Sequence, residues 1–239
     1  MQWVLGHHGR AAWRVFSSSH ARVGVPLVQS RGFDHLERKR LQKGYFFELN
    51  EMRDSGGKVV ASSQGLVPVQ RARPFPSGVS ATHVDPTLAT RDLRDLVSSA
   101  PATVVGVYFR ENAVAHLRSW TEPLSSKGAR TMEVCCVESL LFRAGPLRSL
   151  VLRGLRANAK KRLQGKNLGT VESVACFGNL RDFQRDLGIE NRLAAYCFLV
   201  DSSGNVRWRG SGEASDAEVR SLWGAAQALE SEEAGARRR

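Results

Sequence analysis

The side chains in this sequence with the most reactive potential are four cysteines, Cys135, Cys136, Cys176 and Cys197. Each lies among apolar neighbours, and no two are separated by two residues. That spacing excludes the usual zinc knuckles and the dithiol redox motif. A chain of 239 residues with 42% hydrophobic residues can bury a core of its own, so a secreted disulfide framework is not needed. Buried free thiols, acting as small hydrophobes, are the expectation. Beyond residue 33 the histidines are His35, His83 and His116, none in a ligand or triad pattern. Gly210 and Gly212 suggest a phosphate loop, but they follow a strand and lack the lysine of a P-loop, so they read as turn glycines. No catalytic, cofactor-binding or metal-binding residue is expected.

The elements that would position such groups begin after an address. Residues 1–33 hold Arg10, Arg14, Arg22 and Arg31, Ser17, Ser18, Ser19 and Ser30, and no aspartate, glutamate or lysine. This is the composition of a mitochondrial or chloroplast transit peptide, and Arg31-Gly32-Phe33, which resembles a mitochondrial processing site with cleavage after the aromatic, favours the mitochondrion. A disordered basic tail that binds nucleic acid is the alternative. Losing these residues takes the net charge from +12 to +8, so the body is basic in its own right. Such a charge favours an anionic partner without choosing among nucleic acid, membrane surface and acidic protein. No run of 18 apolar residues is present, so membrane contact is expected to be peripheral.

Residues 34–53 suggest a helical segment that docks on something. Residues 54–90, rich in Gly, Ser, Pro and Thr, read as an extended linker, with 34–89 forming a unit apart from a folded domain over 90–230 and a charged tail over 231–239. Inside the domain, Thr103 to Phe109 and Met132 to Val137 read as buried strands. Glu111 to Leu124, Pro146 to Leu163 and Asn179 to Leu187 read as helices. Ala195 to Val200 and Val206 to Trp208 flank a hairpin turn at residues 201–205. Ser215 opens a last helix with Glu218 completing a capping box and Val219, Leu222, Trp223 and Ala226 along one face. The class is α/β, a thioredoxin-like mixed β-sheet flanked by helices, preceded by a transit peptide and an extended linker. Thioredoxins and peroxiredoxins carry their reactive cysteine just after the first core strand, at a helix N-terminus. Here that place reads Phe109-Arg110-Glu111-Asn112-Ala113, without sulfur. Arg192, Leu193 and Ala194 stand where those enzymes have a proline before the final hairpin.

The run Leu187-Gly188-Ile189-Glu190-Asn191, then Ala195-Tyr196-Cys197-Phe198-Leu199-Val200-Asp201, then Gly204-Asn205-Val206-Arg207-Trp208-Arg209-Gly210-Ser211-Gly212, resembles the signature of the Atp-ten family of mitochondrial ATP synthase assembly factors. The likeness continues through Ala214, Glu218 and Leu222, is weaker but collinear over 90–186, and leaves out 34–89. Ala194-Ala195 stands where the family usually has a glycine before the tyrosine, and Arg209 where a small residue is common. The resemblance implies a matrix-side chaperone, peripheral on the inner-membrane surface, that helps incorporate subunit 6 (subunit a) into the Fo sector. Asn191, Tyr196, Asp201, Arg207, Trp208, Gly210 and Gly212 are then candidates for client recognition or for building the fold. Arg207 and Trp208, adjacent on a strand, point to opposite faces, which suits Trp208 to the core and Arg207 to an ion pair with Asp201.

From Arg143 to Lys166 there are eight basic residues and no acidic one. Leu147, Leu150, Val151, Leu155 and Leu163 recur at helical spacing within it. This describes a basic amphipathic helix suited to an anionic bilayer, with Arg148, Arg153, Arg156, Lys160 and Lys161 as candidate contacts. A helix that packs on the sheet and leaves its basic face in water fits the same pattern. Two other functions remain open: a divergent thioredoxin- or peroxiredoxin-like redox protein using Cys135, Cys136 or Cys197, and an RNA- or ribosome-associated mitochondrial protein. Nucleic acid is not expected, because no RNA-binding motif is present.

Overall fold

The computed structural model describes residues 45–55, 57–85, 89–139, 142, 145–163 and 171–236. The proposed transit peptide, and Arg143 and Lys166 of the basic stretch, lie outside them.

Apolar β-branched runs place three parallel strands at the centre: β4 (Ala102–Tyr108), β5 (Thr131–Val137) and β6 (Val171–Phe177). An antiparallel hairpin, β7 (Tyr196–Asp201) and β8 (Asn205–Ser211), extends the sheet on the β4 side. The short strands β1 (Arg73–Pro74), β2 (Ser80–His83) and β3 (Arg91–Asp92) complete it in the order β1-β8-β7-β4-β5-β6-β2-β3. Parallel neighbours need crossovers, and helices α3 (Val114–Ser126) and α4 (Gly145–Leu163) supply them. The remaining helices are α1 (Tyr45–Asp54), α2 (Leu93–Val97), α5 (Arg181–Leu187) and α6 (Asp216–Ala236).

Strand alternation divides the core into two layers. Val105 and Val107 of β4 face one side, where they pack with Leu93, Leu96 and Val97 of α2 and Phe183 and Leu187 of α5. Ala102 and Val104 face the other, with Trp120 and Leu124 of α3 and Leu222 and Leu229 of α6. Trp120 and Trp208 meet edge to face there, centroids 5.5 Å apart. Helices cover both faces of a mixed sheet, which is the thioredoxin-like arrangement expected from the sequence.

Three details differ from the sequence reading. Residues 54–90 are expected as a linker outside a domain starting near Thr90, but residues 57–85 of that stretch belong to the sheet: β1 pairs with β8, β2 with β6, and Phe75 is fully buried in the core. Their anchors are single residues spread among Gly, Ser and Pro, so no periodicity announces them. Strand β6 enters between the basic helix and α5; Glu172 and Ser173 interrupt its apolar run. Helix α6 continues to Ala236, so residues 231–236 are helix and not tail. Its capping box forms as expected: Glu218 Oε2 accepts from the Ser215 backbone N–H at 2.9 Å, and Ser215 Oγ accepts from the Glu218 N–H at 3.4 Å.

Candidate functional site

The residues that carry the family likeness are placed inside the molecule. Asn191 is fully buried between β7 and α1. Its amide donates to the Glu48 carbonyl and to a Glu51 carboxylate oxygen, both at 2.8 Å, and its side-chain oxygen accepts from the Leu193 N–H at 2.9 Å. The Tyr196 hydroxyl accepts from the Asn191 N–H at 2.8 Å and donates to its carbonyl at 3.0 Å. Two side chains thus fix the loop before β7 and fasten it to α1. Arg192 adds an ion pair to buried Glu48 at 2.8 Å and one to Glu138 at 3.3 Å.

Asp201 and Arg207 flank the hairpin turn. Asp201 Oδ1 accepts from the Ser203 and Asn205 backbone N–H groups, and Oδ2 lies 3.3 Å from Arg207 Nη1. Arg207 also reaches Glu232 on α6 at 2.8 Å and the Val67 carbonyl at 2.6 Å. One guanidinium therefore ties the hairpin to the last helix and to the segment before β1. Trp208 is fully buried in the core as expected, but Arg207 does not point to the opposite face: a register shift between β7 and β8 leaves Arg207 as an extra residue, so both side chains reach the α6 side.

Gly210 and Gly212 admit that same segment. A Cβ on Gly210 would stand 2.8 Å from Ser62 Oγ and 2.9 Å from the Trp208 ring. Gly212 has φ of +69°, and a Cβ there would lie 2.1 Å from the Gly57 carbonyl oxygen. Residues 57–75 consequently run along β8 as a strap. The N–H groups of Ser63, Val67 and Phe75 donate to the carbonyls of Arg209, Arg207 and Gly204, at 2.9, 2.8 and 2.7 Å. Ser211 Oγ accepts from the Val60 N–H and donates to its carbonyl. Lys58 and Ser62 both bond to Glu218 at the start of α6. Burial alone would raise the Glu218 carboxyl; the hydrogen bonds from Lys58, Ser62 and Ser215 hold it down at about 2.

The thiols lie apart from this clamp. Cys136, Cys176 and Cys197 are buried and Cys135 is partly so; all four are free. Burial raises every one: Cys176 is pushed up to about 12, Cys136 well above the ordinary thiol value, and Cys197 and Cys135 are also raised. The position after β4 is Phe109-Arg110, followed by a 3-10 turn at Glu111–Ala113 that leads into α3.

Helix α4 faces the sheet in an unexpected orientation. Arg148 donates to Thr82 Oγ1 at 2.6 Å and lies over the Phe177 ring, and Arg156 donates to the Val84 carbonyl at 2.6 Å. Leu152 is buried, whereas Leu147 and Leu150 are 40% and 59% exposed. Two of the five cations expected at a membrane therefore point inward, and Arg153, Lys160 and Lys161 are exposed. The expected single apolar stripe is split between the two sides of the helix. Between α3 and α4 lies a cleft of about 390 Å³ over Tyr108, Glu133 and Ser173. Glu133 accepts from Thr121 Oγ1 at 2.8 Å, and Arg118 Nε is buried at the wall without a hydrogen-bond partner among the described residues.

Comparison with known proteins adds the family. Among solved structures, the chain is similar to a putative thiol:disulfide interchange protein DsbE from Chlorobium tepidum, at 14% identity over 66% of this chain and 96% of that one, TM-score 0.42. It is also similar to a putative protein disulfide isomerase from Bacteroides thetaiotaomicron, at 14% identity over 74% and 99%, TM-score 0.42. A peroxiredoxin-like protein from Aquifex aeolicus matches at 11% identity over 71% and 99%, TM-score 0.39. No curated protein matches. The family model described as ATP10 protein matches residues 34–229, and so takes in the strap and α1, which the sequence resemblance left out. The chain belongs to the ATP10 protein family, a family of ATP synthase assembly.

Proposed function

We propose that this protein is a non-catalytic chaperone for the Fo sector of the mitochondrial F-type ATP synthase, with subunit 6 (subunit a) as its client. It acts at the matrix side of the inner membrane as a peripheral protein. The observation that carries the reading is the family match over residues 34–229, joined to the interior placement of the signature. Signature side chains that hold strap, hairpin and last helix together need no substrate to account for them. The raised thiols and the sulfur-free turn after β4 support a role without thiol chemistry, since the thiolate is the reactive form. Among the described residues no helix is long and apolar enough to cross a membrane, which agrees with peripheral attachment.

The test is native-gel separation of the ATP synthase from mitochondria depleted of this protein, with labelled synthesis of the mitochondrially encoded subunits. Free F1 together with unstable subunit 6, and normal respiratory complexes, is the expected result. A fully assembled synthase would overturn the proposal.

A further inference from the structure

The outward face of α4 has the composition of a surface that docks on something. At 100° per residue, Leu147, Leu150, Gly154, Ala157 and Lys161 turn away from the inward row of Arg148, Leu152, Leu155, Arg156 and Ala159, and Arg153 and Lys160 flank them. A helix that only covered the sheet would put its leucines inside and its arginines outside. Here two arginines are spent on the sheet edge, at Thr82 and the Val84 carbonyl, and two leucines are left in solvent. Helix α4 carries no acidic residue along its whole length, so no carboxylate of its own offsets Arg153, Lys160 and Lys161. An exposed apolar pair beside cations that have no ion-pair partner among the described residues matches a bilayer with anionic headgroups, where leucines enter the acyl boundary and lysines stay at the phosphates.

We infer that this face, Leu147 and Leu150 with Arg153, Lys160 and Lys161, is the surface by which the protein docks on an anionic lipid bilayer. The inference deepens the peripheral attachment proposed above and rests on that part of it. Arg148 and Arg156, held by the sheet, are positioning residues that fix which side of α4 faces out. The leucines set depth and the three cations set headgroup preference. Binding is therefore selective for anionic over neutral vesicles and weakens with salt.

The experiment uses the full chain with phosphatidylcholine vesicles that contain or lack cardiolipin. Co-sedimentation gives the partition coefficient, and amide hydrogen exchange shows where the bound protein is shielded. The expected results are slowed exchange across 145–163 with cardiolipin vesicles only, and a partition coefficient lowered about a hundredfold by Arg153→Gln, Lys160→Gln and Lys161→Gln together. Leu150→Ser weakens binding to the same vesicles without altering the charge. Arg91→Gln, Arg181→Gln and Arg220→Gln together remove the same charge from exposed sites elsewhere and leave binding near that of the parent. Equal losses in the two triple variants mean attraction by net charge alone and overturn the inference. Exchange unchanged over α4 in the vesicle-bound protein overturns it as well. Neither result bears on the assembly role, which the depletion experiment decides.

Discussion

Asn191 Nδ2 stands 2.8 Å from the carbonyl oxygen of Glu48, a hydrogen bond between residues 143 positions apart that joins the loop before β7 to the first described helix. The Glu48 side chain is itself buried and paired with Arg192. A residue that reads as a recognition candidate in the sequence is thus a fastener.

Asn191→Leu should lower stability by about 2–3 kcal/mol, because it leaves the Leu193 N–H without its partner in a dry site and removes the hydrogen bonds to Glu48 and Glu51 on α1. Chemical denaturation followed by tryptophan fluorescence measures this. An unchanged midpoint would mean that the α1 contact contributes nothing.

Arg207→Met should cost more, about 3–5 kcal/mol, since it strands the Asp201 carboxylate at 2% exposure. Pairing it with Asp201→Asn should restore part of the loss. A double-mutant cycle with no coupling contradicts the ion pair as drawn.

Gly212→Ala should act on the strap, because the added Cβ meets the Gly57 carbonyl and the positive φ is strained for alanine. Limited proteolysis of the variant is expected to cut within residues 57–67 first, and faster than in the parent. Cleavage first at any other site would show that the strap is not what Gly212 protects.

How far the sequence disclosed these arrangements depends on how local the cause is. Strands β4 and β5 and the hairpin follow from apolar runs and turn residues. The start of α6 follows from Ser215 and Glu218, three positions apart. Strand alternation assigns Arg207 and Trp208 to opposite faces, but both are buried and both reach the α6 side, Arg207 at Glu232 and Trp208 against Leu222, because a bulge in β8 opposite Leu199 and Val200 leaves Arg207 as an extra residue. The strap was illegible because its partners, Ser211, Arg209, Arg207 and Gly204, lie about 130 to 150 positions away. Phe75, between two prolines, gives no sign that it is core. For α4, helical spacing showed leucines and arginines in quantity, but the side facing the sheet was set by Thr82, the Phe177 ring and the Val84 carbonyl, which lie on other elements.

Glu218 predicts an acid-labile clamp. Its folded-state carboxyl is depressed from 4.5 to about 2, so its contribution to stability is fully present above about 4.5 and is lost as pH falls through about 2. Urea midpoints of the parent and of Glu218→Gln should differ at neutral pH and converge across that window. Parallel curves down to pH 2 would exclude the Lys58 and Ser62 contacts as the source.

If the chain assists assembly without thiol chemistry, as proposed above, a variant in which Cys135, Cys136, Cys176 and Cys197 are all alanine rescues ATP synthase assembly. The variant is expressed in depleted cells to the level of the parent, and the synthase is resolved on native gels. Full-size ATP synthase and stable subunit 6, as with the parent, are the expected result. Free F1 in cells holding normal amounts of the folded variant would contradict it and return the function to one of those thiols.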